Sequence, residues 1–143
     1  MQQEVIQSGK GIEYKWSSDH IFVKSIGALT EGRASMVEDT LKPGFHLARH
    51  HHKKMTEIFY ILEGELTLIF DDETVVATAG TTVNVPPNVW HEAKTENGAR
   101  MLSIFSPAGF EDYLAEMKTL SDEQFADAAF MQALNEKYDI YNE

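Results

Sequence analysis

An all-β barrel followed by a short helical tail is the fold class this sequence predicts. Three observations carry it. Apolar stretches of strand length recur between turn residues from about residue 20 to residue 105. No segment in that span has room for a crossover helix, so the strands should pair mostly antiparallel. After Ser106-Pro107-Ala108-Gly109 the apolar spacing passes from the strand period to the helical one.

The elements follow in order. Strands are predicted over His20–Ile26 and Arg33–Leu41, and Lys42-Pro43-Gly44 turns the chain into His46–His52. Glu57–Leu62 and Glu65–Phe70 read as two strands separated at Glu63-Gly64. Asp71-Asp72, Ala79-Gly80 and Pro86-Pro87-Asn88 then separate strands at Thr74–Ala77, Thr82–Val85 and His91–Thr95. Asn97-Gly98, before the strand Arg100–Phe105, is the strongest hairpin signal, because both residues tolerate positive φ. In the tail, Phe110, Tyr113, Leu114, Met117 and Leu120 form one apolar stripe at helical spacing. Ser121 with Gln124 is a capping box, opening a second helix through Phe125, Ala128, Ala129 and Ala133. Barrel (about 20–105) and helices (about 107–135) together predict one domain over 1–143.

Composition narrows the partners. Twelve basic residues against 23 acidic ones give a formal net charge of −11. Glu111 to Glu143 alone holds nine acids and two lysines, a balance of −7. Such a chain repels phosphate backbones, which argues against nucleic acid. Cysteine is absent, so thiolate and disulfide chemistry are excluded. The N-terminal residues carry no apolar run of signal or membrane-spanning length, and the expectation is a cytoplasmic protein acting on a small molecule.

The chemistry sits in two segments, Gly44 to Gly64 and Gly80 to His91. His50 and His52 are two apart, so on a strand both side chains share a face, about 6.6 Å from one another along it. Glu57 follows after four residues, and His91 arrives behind Pro86-Pro87. Three imidazoles and a carboxylate suit one divalent transition ion per chain, whether Fe, Mn, Ni, Co, Cu or Zn. They suit calcium or magnesium poorly. A single histidine on a strand is more often structural than ligating, and His20 is left without a role. The joint spacing of His50, His52, Glu57 and His91 sets them apart, while alternation turns His51 away. The same alternation places His46 and Ala48 inward and Phe45, Leu47 and Arg49 outward. With Phe59, Ile61, Ala93 and Thr95 they outline a pocket of apolar walls around one polar anchor, His46 lying about 13 Å up the strand from His50.

These segments resemble the cupin superfamily. Its first motif is Gly, five residues, His-x-His, three or four residues, Glu, six residues, Gly. Gly44, His50, His52, Glu57 and Gly64 match it throughout. The second motif, Gly, five residues, Pro-x-Gly, two residues, His, three residues, Asn, reads here as Gly80, Pro86, Asn88, His91 and Thr95. Asn88 replaces a glycine and is the next best residue for a left-handed turn. Thr95 replaces an asparagine that is not a ligand. The stretch Ser106 to Glu111 and the helical tail are similar to single-domain, quercetinase-like bacterial cupins. The resemblance implies a jelly-roll barrel with the metal inside, often in homodimers. Ile58, Tyr60 and Leu62 alternate with Glu57, Phe59 and Ile61, so this strand needs cover on both faces, from the tail helices or, as favoured here, a second subunit. The expected function is a metal-dependent dioxygenase of a small oxygen-chelating, flavonol- or diketone-like substrate, with Glu57 either a ligand throughout or a ligand that swings off to accept a proton. The alternatives are a non-redox isomerase, cyclase or lyase, or a small-molecule-binding barrel without catalysis.

Overall fold

A computed structural model describes residues 2–143. Every strand pairing in it is antiparallel. β1 (Ile12–Lys15), β2 (Asp19–Ser25), β3 (Ser35–Leu41) and β9 (Ala99–Ser106) lie side by side, and β9 continues onto β5 (Thr56–Ile69). From β5 the order runs to β8 (His91–Lys94), β4 (His46–His51) and β10 (Tyr141–Asn142), while β6 (Thr74–Thr78) and β7 (Thr82–Val85) flank β5. A four-residue helical turn, α1 (Gly27–Thr30), joins β2 to β3. The result is a jelly-roll barrel of two facing sheets.

β5 makes the two sheets one body. Its first half pairs with β7 and β9, its second half with β6 and β8. The sequence reading split this strand at Glu63-Gly64, but the chain runs on as one 14-residue strand with a bulge between Ile61 and Glu63. Gly64 permits this with φ +77 and a backbone so close to Gly98 that a Cβ would stand 2.4 Å from the Gly98 carbonyl. Asn97-Gly98 also differs from expectation. β8 and β9 belong to different sheets and do not pair, so this turn is a corner between layers rather than a hairpin. Thr95 Oγ1 accepts the Gly98 N–H at 3.1 Å and holds that corner.

Leu41, Phe59, Ile61, Leu66, Leu68 and Met101 fill one part of the interior. Tyr14, Ile21, Val23, Val37 and Phe105 fill another, closed by Leu114 from α2 (Phe110–Met117). Glu111 and Asp112 sit in the first turn of α2, where the helix dipole favours acids, and Glu111 accepts the Gly27 N–H at 2.6 Å. The capping box of Ser121 and Gln124 forms as read. The helix it opens, α3 (Asp122–Ala126), stops at Asp127, which leaves helical geometry (ψ 104) and caps α4 (Ala128–Lys137) by accepting the Phe130 N–H at 3.1 Å. The predicted second helix is therefore two. The chain then returns to the barrel, and Tyr141 and Asn142 pair with His51 and His50, a strand the sequence reading did not anticipate.

Candidate metal centre

His50 and His52 lie on and just beyond β4, Glu57 is the second residue of β5 and His91 opens β8. Register brings them together: His50 pairs directly with His91. Asn88 adopts the left-handed conformation (φ 67) that the turn before His91 demands. The ligand-type atoms of the four residues all lie within 4.8 Å of one another, and none of the residues is more than 4 % exposed.

Each imidazole is oriented from behind. His50 Nδ1 lies 2.8 Å from the Ala48 carbonyl, His52 Nδ1 2.8 Å from that of Asp139, and His91 Nδ1 2.9 Å from that of Val89. A carbonyl only accepts, so in all three rings Nδ1 donates and Nε2 is left to face inward. His52 Nε2 lies 3.1 Å and His91 Nε2 3.4 Å from Glu57 Oε1. Burial would raise the Glu57 carboxyl, but the bond from His52 and the imidazole of His91 beside it outweigh burial and hold it down at about 2. Burial and the neighbouring His91 lower His50 to about 4. Burial also acts to lower His52, yet its bonds to Glu57 and to the Asp139 carbonyl leave it raised. The site thus combines an ionised carboxylate with three imidazoles whose Nε2 atoms face inward. His91 Nε2 is buried without a hydrogen-bond partner among the described residues. An orphaned imidazole nitrogen aimed at a carboxylate and two further imidazoles fits a divalent ion.

The cluster opens into a cavity of about 400 Å³. Phe45, Leu47, Phe59, Met101 and Phe105 supply apolar barrel walls, and Phe110, Tyr113, Met117, Phe125 and Ile140 of the tail close it. Of the pocket residues read from sequence, Ala48 and Phe59 are there. Ile61 and Ala93 lie beneath, in the apolar core, and Thr95 serves the Gly98 corner. His46 is a correction: its side chain is 54 % exposed and bonds Glu92 on the outer surface at 2.5 Å. The cause is a β-bulge. Leu47 pairs with Ala93 but His50 with His91, so Ala48 and Arg49 together oppose Glu92. The extra residue inverts the alternation upstream, turning Phe45 and Leu47 inward and His46 outward. His51 lies outside, against Trp90 and Tyr141, as its alternation predicts.

Asp19 and Asp39 were not foreseen. Both line the cavity, and Asp39 is only 5 % exposed. Ser103 Oγ donates to Asp39 at 3.3 Å, and Asp19 Oδ1 is buried without a partner among the described residues. Burial, the largest effect on each, pushes both carboxyls up; the neighbouring Asp39 raises Asp19 further, whereas the bonds from Asp19 and Ser103 hold Asp39 partly down, so Asp19 rises more than Asp39. Near neutrality the pair holds a proton. The signal in the sequence was an acid within the alternation Ser35, Val37, Asp39, Leu41, all four of them buried. A second concavity, of about 420 Å³, lies between the N-terminal residues and β2 and contains no ligand cluster among the described residues.

Comparison with known proteins agrees with this architecture. Residues 37–105 match the cupin domain. Quercetin 2,3-dioxygenase of Bacillus subtilis (strain 168) is 26% identical over 119 residues, 82% of this chain but 34% of that protein. The chain thus spans about a third of the length of the curated relative it matches. An RmlC-like cupin from Shewanella frigidimarina NCIMB 400 superposes with a TM-score of 0.65 at 25% identity, covering 75% of this chain and 94% of that one. The polyketide cyclase RemF from Streptomyces resistomycificus gives 0.63 at 17% identity, covering 74% and 80%.

Proposed function

The chain carries a cupin domain, and on that premise we propose that it is a metal-dependent enzyme, a dioxygenase of a small flavonol- or diketone-like substrate. The observation that carries the reading is the convergence of His50, His52, Glu57 and His91 at the end of an apolar cavity of about 400 Å³. Such a volume suits a small organic molecule rather than a polymer. A divalent ion bound there would supply Lewis acidity and, with a redox-active metal, access to dioxygen chemistry. Phe45, Leu47, Phe59 and Phe105 would grip the aromatic or alkyl part of the substrate and exclude water. Glu57, ionised and placed against His52 and His91, is the nearest acceptor for a proton leaving a hydroxyl or an acidic carbon. The similarity to a quercetin dioxygenase supports the oxidative version.

A non-redox cyclase, isomerase or lyase is the second reading, favoured by a specific observation. Asp19 and Asp39 give the cavity a proton donor and acceptor separate from Glu57, which a proton-transfer reaction needs and an oxidative cleavage does not. A cyclase is among the structural neighbours. A binding barrel would need no such pair. We also read the 143 residues as one domain and the protein as a homodimer. The tail packs by Leu114 of α2 and by Ile140 beyond α4 at the cavity mouth, which leaves Ile58, Tyr60 and Leu62 on the far face of β5 for a second subunit.

Oxygen uptake separates the readings. Protein loaded with iron, manganese, nickel or cobalt is mixed with flavonols and diketones under air. Uptake with at least one metal is the expected result. No uptake with any metal, together with turnover of an enolisable substrate under nitrogen, would replace the dioxygenase by the non-redox enzyme. Neither activity would leave the binding barrel.

A further inference from the structure

The segment from Lys53 to Thr56 is the short span between two ligand-type residues, His52 and Glu57. One residue of the distant tail holds nearly all of it. Asp139 Oδ1 accepts the Lys53 N–H at 2.7 Å, and Asp139 Oδ2 accepts those of Lys54 and Met55 at 2.9 and 2.8 Å. Its main-chain carbonyl takes the His52 Nδ1–H at 2.8 Å. Three consecutive amides thus form an anion-binding nest filled by a single carboxylate, and the same residue sets the tautomer of the adjacent imidazole.

The backbone at Asp139 makes its presence unusual. The residue stands just past α4 with φ 66, while Asp139 N–H donates to the Glu136 carbonyl and Ile140 N–H to that of Asn135. This is a Schellman-type helix end, whose left-handed position favours glycine or asparagine. An aspartate there is strained relative to glycine, so its side chain does something glycine cannot.

We propose that Asp139 is the positioning residue of the metal centre, tying the C-terminal segment to the His52–Glu57 span so that tail docking and metal occupancy are coupled. The inference rests on the metal reading of the four-residue cluster. Linkage then makes the effect reciprocal: an ion that prefers the ordered span tightens the tail, and a detached tail weakens the ion.

The experiment uses the full chain and the variants Asp139→Gly and Asp139→Asn, both compatible with positive φ. In metal-free protein, hydrogen exchange at the amides of Lys53, Lys54 and Met55 should quicken at least ~10-fold in Asp139→Gly. The affinity for Co²⁺, titrated by calorimetry, should fall roughly 10- to 100-fold, with a changed visible spectrum reporting altered ligand geometry. Asp139→Asn, which keeps one acceptor oxygen, should fall between glycine and the unaltered chain. In the unaltered chain, Co²⁺ should slow exchange across residues 138–142. Unchanged exchange at residues 53–55 in folded Asp139→Gly overturns the proposal without reference to any metal. So does unchanged Co²⁺ affinity with an unchanged spectrum. Failure of the unaltered chain to bind Co²⁺ overturns the metal reading instead, and the exchange measurement still decides the Asp139 tie.

Discussion

Asp39→Asn should make the metal-free protein more stable at pH 7, and progressively less so toward pH 4. Asp39 is 5 % exposed and receives the Ser103 hydroxyl at 3.3 Å. Burial is the largest effect on it and lifts its pKa from 3.8 to about 6. A carboxyl with a raised folded pKa binds its proton more tightly when folded. Its contribution is therefore intact below the unfolded pKa and is lost as pH rises through the folded one. Across that window the loss is about 3 kcal/mol, at about 1.4 kcal/mol per unit. Asparagine has nearly the same shape and no charge to desolvate, but it leaves an imperfect hydrogen bond to Asp19 and Ser103, at about 1 kcal/mol. The net gain at pH 7 is then about 1–2 kcal/mol. Other groups bend the profile the opposite way. His50, lowered to about 4, and Glu57, lowered to about 2, both withdraw stability as pH falls, the first from near 6.5 and the second from near 4.5. His50 is common to both chains and cancels in their difference, while the repulsion between Glu57 and Asp39 is already contained in the raised Asp39 value. Urea unfolding in chelator at pH 4 to 8 measures that difference. A difference independent of pH, or an Asp39→Asn chain weaker than the original at pH 7, would refute the argument that burial of this carboxylate is costly.

Three further outcomes are expected. His52→Ala or His91→Ala should abolish stoichiometric metal by elemental analysis, whereas His51→Ala, which alters only the outer contact with Trp90 and Tyr141, should leave it intact; equal metal content in all three would remove the ligand assignment. Gly64→Ala forces a side chain onto φ +77 and to within 2.4 Å of the Gly98 carbonyl. It should cost at least about 2 kcal/mol, seen as a melting point lower by roughly 5 °C or more; an unchanged melting point would mean that the two sheets are not held this closely at β5. Light scattering at micromolar concentration should report a dimer, and a monomer would remove the second subunit as cover for Ile58, Tyr60 and Leu62.

How much was legible from the residues follows from the range over which each feature is decided. The four ligand-type residues could be found because their placement is local: His50 and His52 share a face through strand alternation, and Asn88 before His91 suits a left-handed turn. The capping box at Ser121 and Gln124 is local in the same sense, and it formed as read. His46 was misplaced because alternation holds only while the register does. The bulge between Leu47 and His50 arises from pairing with β8, some forty residues on, and one extra residue reverses every side chain before it. Glu63-Gly64 has the composition of a turn, but the near contact of Gly64 with Gly98 makes it part of one long strand shared by both sheets. Asp19 and Asp39 enter the cavity only when β2 and β3 take their places in the barrel, and Asp139 reaches the His52–Glu57 span only when the tail folds back. Most of the strands and the four ligand-type residues were readable from the residues alone, since period and turn preference act within a few residues. The acids that share the cavity, and the contacts of Asp139 with His52 and the span up to Glu57, were set by the tertiary fold, because those contacts join residues 20 to 87 positions apart.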